Sequence, residues 1–238
     1  MAMETLQSAF NELNISYDDT VLKKFQQYME LILEWNEKVN LTAITEKEEF
    51  IKKHYIDSLL CYSFPEMQKS ERVIDVGTGG GFPGIPLALV FPEKQFVLMD
   101  SLKKRLNIID DLALQLDISN VVTLHGRAED LGHSKEYREK FDICVSRAVA
   151  NLATLSEYCL PFIKKGGNFL AYKGTKADEE IKEAHKAVFL LGGKITREEK
   201  VTLPGYDLEH NIIVIEKVQN TSAKYPRKAG TPSKEPLK

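Results

Sequence analysis

The stretch Val73-Ile74-Asp75-Val76-Gly77-Thr78-Gly79-Gly80-Gly81-Phe82-Pro83-Gly84 decides how this chain is read. Val73, Ile74 and Val76 form the short β-branched run of a strand covered on both faces. Gly77, Gly79, Gly80, Gly81 and Gly84 then place five glycines in eight residues. Such a turn lets the backbone come close to a ligand, and it would destabilise a loop that only connects. Pro83 and Pro86 suit the first turn of a following helix, where a missing N–H costs nothing.

Two kinds of ligand use such a turn. A dinucleotide fingerprint has Gly at the first, third and sixth positions. Counted from Gly77, the sixth position is Phe82. The spacing acid-x-Gly-x-Gly-x-Gly is met by Asp75, Gly77, Gly79 and Gly81. It resembles the cofactor loop of class I S-adenosylmethionine (SAM) methyltransferases. There the glycines leave room for the methionine and ribose parts, with no pyrophosphate to cradle. Asp75 either acts on the amino end of the cofactor or fixes the turn.

The chain has 238 residues, 43% hydrophobic and 28% charged, enough apolar side chain for a full core in one large domain or one domain plus an appendage. No apolar run approaches the roughly 18 residues of a membrane span. The acidic start lacks the pattern of a signal peptide. Cys61, Cys144 and Cys159 are far apart, which argues against a disulfide framework and a structural zinc site. A cytoplasmic protein without a metal, acting as a monomer, is expected. Lys217 to Lys238 holds six basic residues and one acid, a net of +5, so the rest of the chain carries −8 of the total −3. A basic tail on an acidic body suggests a phosphate-bearing partner that meets one face.

Along the chain, residues 4–14 and a helix from Asp18 or Asp19 to about Val39 carry apolar side chains at helical spacing. Thr45 and Glu48 have capping-box spacing and open a third helix that ends before Pro65. His54 and Asp57 lie near one another on it, and Lys52, Lys53 and His54 are placed to meet phosphate. Residues 1–68 thus read as a helical N-terminal region, 69–220 as the cofactor domain and 221–238 as a basic C-terminal tail. Strands are expected at 72–76, 95–99, 121–124, 141–146 and 168–172. A final antiparallel pair is expected at 195–203 and 211–218, around a loop at Pro204-Gly205. Lys164-Lys165-Gly166-Gly167 reads as a tight turn. The tail around Tyr225-Pro226-Arg227-Lys228 reads as extended. The fold class is α/β, a seven-stranded, mostly parallel, Rossmann-like sheet with its last strand reversed.

Asp100, at the tip of the second strand, can accept from both ribose hydroxyls of an adenosine cofactor, which serves SAM and NAD equally. The turn after strand three would border the adenine ring: backbone N–H at Ala128 or Glu129 can bind its edge, and the Glu129 carboxylate its amino group. Arg147 stands at the carboxyl edge of strand four, where ligands sit in open α/β sheets. Lys103, Lys104 and Arg105 open a helix and, with Arg227 and Lys228 of the tail, are candidates for nucleic-acid phosphate.

Taken together, Asp75 to Gly84, Asp100-Ser101, Gly126 to Glu129, Ser146 to Ala150 and Tyr225 to Pro236 resemble the RsmG family, also called GidB. Asn40-Leu41-Thr42 and His54 to Leu59 are similar to its N-terminal region, so the likeness covers essentially the whole chain. It implies a bacterial enzyme that moves a methyl group from SAM to N7 of a guanine in small-subunit (16S) ribosomal RNA. The substrate would be that RNA or the ribosomal particle. The likeness also implies that Gly77, Phe82, Ala128, Glu129 and Arg147 contact the cofactor, beside Gly79, Gly81 and Asp100.

The residues agree with that chemistry. Guanine N7 has a free lone pair, so no general base is required and none is evident; alignment and partial desolvation suffice. Ser146-Arg147-Ala148 lacks the Pro-Pro-aromatic loop of amine methylation. Carbon-5 methylation needs a thiolate, and Cys144 and Cys159 read as buried apolar fillers. Arg147 can hold the cofactor carboxylate, or guanine O6 or phosphate; the first role is favoured. Truncating residues 222–238 is expected to weaken RNA binding and spare SAM binding. The competing readings are a nicotinamide oxidoreductase and a non-catalytic RNA-binding assembly factor.

Overall fold

The computed structural model describes residues 2–201 and 210–237. Seven strands form one sheet in the order β3-β2-β1-β4-β5-β7-β6. They are β1 Arg72–Val76, β2 Gln95–Asp100, β3 Val121–His125, β4 Phe141–Arg147, β5 Ile163–Lys173, β6 Gly193–Val201 and β7 His210–Lys217. The pairs among β1 to β5 are parallel, and β7 runs antiparallel to both β5 and β6. This is the expected sheet with its last strand reversed. The strand order changes direction between β1 and β4, which opens a crevice above the carboxyl ends of the central strands.

Alternate side chains divide the core into two layers, as the two-residue repeat of a strand requires. Val73, Leu98, Ile143, Val145, Leu170 and Val214 face one layer. Ile74, Met99, Cys144, Phe169, Ala171 and Ile215 face the other. The second layer is closed by the helices Leu152–Cys159 and Ala177–Leu190. The first is closed by Gly84–Val90, Lys103–Gln115 and the N-terminal helices. The helical N-terminal region therefore covers one face of the sheet and shares its core.

Local chemistry sets the boundaries. The helix Asp19–Asn36 is capped by the Asp18 side chain, which accepts from Val21 N at 2.9 Å. It stops three residues short of Val39 because the Asn36 side chain turns to accept from Leu41 N and Thr42 N. The expected Thr45–Glu48 capping box is corrected: Glu46 is the cap, accepting from Glu48 N and Glu49 N. The helix Lys47–Phe50 continues through a π-helical segment, Ile51–Ile56, into Asp57–Leu59.

Two further expectations change. Lys164 to Gly167 is no separate turn but part of the 11-residue β5, where the pairing with β4 shifts register between Phe141 and Ile143. The tail is not an extended arm. Tyr225 and Pro232 are buried, and Thr231–Lys234 forms one helical turn against the body. The loop at Pro204-Gly205 lies outside the described residues. Among the described residues, no helix is long and apolar enough to cross a membrane.

Candidate active site

The glycine turn is held from below. Gly77 N and Thr78 N both donate to Met99 O, tying the turn to β2. Asp75 Oδ2 accepts from Thr78 Oγ1 at 2.7 Å and from Gly84 N at 2.9 Å. Burial pushes the Asp75 carboxyl up to about 7, while Thr78, Gly84 N and Arg147 pull it down. Asp75 is fully buried, its Oδ1 has no hydrogen-bond partner, and it does not reach the cleft. Of its two possible roles, the geometry assigns it the turn. Gly81 has φ +91, and a Cβ there would run into the Tyr28 hydroxyl, which itself donates to Gly80 O at 2.7 Å. Gly81 thus lets the turn seat on the helix Asp19–Asn36 and does not line the cleft.

Above the turn lies a cleft of about 670 Å³, within the roughly 300–1,000 Å³ of small-ligand sites. Gly77, Gly79, Phe82, Asp100, Ala128, Glu129 and Arg147 all line it. Asp100 is 6% exposed, its carboxylate accepting from Gly79 N (3.0 Å) and Leu102 N (2.8 Å). These bonds fix an acid from the tip of β2 against the glycine turn. Ala128 and Glu129 open a short helix after β3. Glu129 is 8% exposed, and its Oε1 accepts from Gly230 N at 2.9 Å.

Arg147 ties the cleft to the N-terminal region. Its Nη1 forms an ion pair with Asp57 and donates to Lys53 O at 2.7 Å. Its Nη2 lies 3.1 Å from His54 Nδ1. A guanidinium only donates, so Nδ1 must be the acceptor, and the proton of the neutral ring sits on Nε2, 2.7 Å from Thr42 Oγ1. Burial first, then Arg147, holds the imidazole down to about 3, against the pull of Asp57. The same ring stacks on Phe82 at 4.4 Å between centroids, and Arg147 lies 5.6 Å over the Phe82 ring. Phe82 is therefore clamped among His54, Phe50, Tyr55 and Tyr28. A second cleft, also about 670 Å³, shares His54, Arg147, Ala148 and Val149 with the first and extends to Asp57, Lys173 and Glu180.

The basic candidates separate. Arg105 lines the first cleft, while Lys103, Lys104 and Lys228 are exposed outside its wall. Arg227 is turned inward onto the fully buried Glu157. Cys144 and Cys159 are buried, and burial raises the Cys144 thiol well above its ordinary value, which removes a thiolate nucleophile. Leu41, Arg127, Tyr158, Gly230 and Ser233, none of them assigned a cofactor role from the sequence, also line the first cleft. Gly230 and Ser233 belong to the segment read as an RNA-binding tail, and nothing local to it signals a return to the cleft. Among the described residues, no group of acidic, His and Cys side chains is placed to hold a metal ion.

Fold and cleft together define a class I SAM-dependent methyltransferase. Among solved structures, the chain is similar to a Thermotoga maritima SAM-dependent O-methyltransferase, with TM-score 0.52 and 16% identity, over 79% of this chain and 72% of that one. It is also similar to Methanococcus jannaschii TYW2, crystallised with AdoMet, with TM-score 0.54 and 17% identity over 74% and 80%. Closer likeness comes from sequence. The ribosomal RNA small subunit methyltransferase G of Clostridium novyi (strain NT) is 50% identical over 98% of this chain and 96% of its own length. That of Clostridium tetani (strain Massachusetts / E88) is 49% identical over 99% and 98%. The family model for rRNA small subunit methyltransferase G, GidB, matches residues 21–204. The chain belongs to that family, and the nicotinamide oxidoreductase reading is not favoured.

Proposed function

We propose that this protein methylates N7 of a guanine in small-subunit (16S) ribosomal RNA, with SAM in the first cleft and the base entering from the second. The observation that carries the reading is Asp100, an acid at the tip of β2 hydrogen-bonded to Gly79 N in the wall of a ligand-sized cleft. Asp100 would take the ribose hydroxyls, and Ala128 N and Glu129 the adenine edge. Gly77 and Gly79 would leave room for the methionine part, and Arg147 would hold its carboxylate.

When bound, SAM supplies an electrophilic methyl group on a sulfonium. Guanine N7 uses an existing lone pair, so the protein need not remove a proton before transfer. Its work is to align N7 with the methyl group and to exclude water. The neutral His54 fits this: half-buried between Thr42 and Arg147, it orients Arg147 and is not poised as a base near pH 7.

Lys103 and Lys104 support the RNA side. Basic residues in the first turn of a helix oppose its dipole; Lys103–Gln115 begins with three and has no acid there. Exposed next to Leu102 and Arg105 of the cleft wall, they suit phosphate contacts, and Lys228 is exposed as well. The test is SAM calorimetry on Asp100→Ala: affinity should fall at least tenfold, and an unchanged affinity would remove SAM from this cleft.

A further inference from the structure

We propose that the C-terminal segment from Tyr225 to Ser233 completes the cofactor site, with Arg227 as the residue that positions it. The proposal rests on SAM occupying the first cleft. Arg227 directs its backbone N, Nε and Nη2 to the carboxylate of Glu157, at 2.7 to 3.2 Å. Glu157 is fully buried, and its partner stands 70 residues further along the chain, so this ion pair exists only when the segment is docked. Removing one member of such a pair strands a buried charge, which makes the docking strongly one-sided.

Other bonds hold the same strand of backbone. Arg138 donates to the carbonyls of Tyr225, Thr221 and Ser222, and Thr154 Oγ1 to that of Pro232. These anchors come from two separate parts of the chain, Arg138 before β4 and Thr154 in the helix Leu152–Cys159. Held there, Gly230 adopts φ +83, places its N–H on Glu129 Oε1, and with Ser233 forms part of the cleft wall. A backbone donor on one carboxylate oxygen fixes the orientation of the other, which leaves Glu129 set for the exocyclic amino group of adenine. The segment past Arg227 thus has a ligand-facing task, and this reverses the expectation that tail truncation spares SAM binding.

The discriminating protein is a chain ending at Lys228. It keeps the Arg227–Glu157 pair and the Arg138 anchors and loses Gly230 and Ser233. SAM affinity by calorimetry should weaken roughly tenfold, the scale of one hydrogen bond to a charged group. KM for SAM should rise in step, with kcat at saturating SAM and KM for small ribosomal subunits little changed. Arg227→Ala should weaken SAM binding as well, and Arg227→Lys should restore part of it. Unchanged SAM affinity in the truncated chain, or an effect confined to KM for the subunit, overturns the proposal. Asp100→Ala measured alongside separates the two failures. If it too binds SAM normally, the cleft assignment is lost; if it alone is impaired, only the role of the segment is lost.

Discussion

Arg147 shows how one side chain joins two regions of the molecule. It leaves the end of β4, lies over Phe82 and is gripped by Asp57, His54 and the Lys53 carbonyl. Replacing it with Ala should weaken SAM binding in the absence of RNA by roughly tenfold or more, the size of a lost charge-assisted contact. Calorimetry that finds the affinity unchanged would move Arg147 to the RNA side. Asp75 gives a pH signature. Its folded-state value of about 7 lies above the ordinary 3.8, so protonation favours the folded state. That contribution is fully present below about 3.8 and is lost as pH rises through 7. Asp75→Asn mimics the protonated form. Wild type should therefore gain stability relative to the variant as pH falls from 7.5 to 4, read from urea unfolding; a constant difference would mean that Asp75 titrates normally.

At the scale of elements, the glycine turn and the helix Asp19–Asn36 form one unit. Tyr28 is fully buried and its hydroxyl donates to Gly80 O, so Tyr28→Phe leaves a buried carbonyl short of a donor. A loss of about 1–3 kcal/mol in unfolding free energy is expected, and Gly81→Ala, strained at φ +91 and pressed on the same hydroxyl, should cost a similar amount. Either variant unfolding like wild type would show that the turn does not depend on that helix. The turn itself was legible in sequence because glycine spacing is a local signal, and the strands because their β-branched runs are. Tyr28 was not, since a core-facing aromatic at helical spacing looks the same whether or not its hydroxyl meets a loop 52 residues away. His54 and Asp57 stood out as a polar pair on one helix, but their partner Arg147 lies 90 or more residues further on. The tail was misread for a related reason: its composition is basic, while its packing is decided by the buried Glu157 on another element.

On the scale of the whole molecule, the sheet puts its carboxyl ends and the two clefts on one edge, with the N-terminal helices and the docked C-terminal segment as walls. The charge division fits this plan only in part, because Arg227 is turned inward, while Lys103 and Lys104, with Lys224, Lys228 and Lys234 of the tail, point outward. Lys103→Ala with Lys104→Ala should lower affinity for the small subunit and flatten its dependence on salt by roughly two in the log–log slope, with SAM binding unaltered. A slope that does not change would place the RNA elsewhere on the surface.

The most direct test of the central claim uses small ribosomal subunits from cells lacking this protein, incubated with it and with SAM labelled on the methyl group. The RNA is then digested to nucleosides and resolved. Label should appear in 7-methylguanosine alone, and should disappear when Asp100→Ala replaces the wild type. Label in another nucleoside, or none in the RNA, would contradict the account.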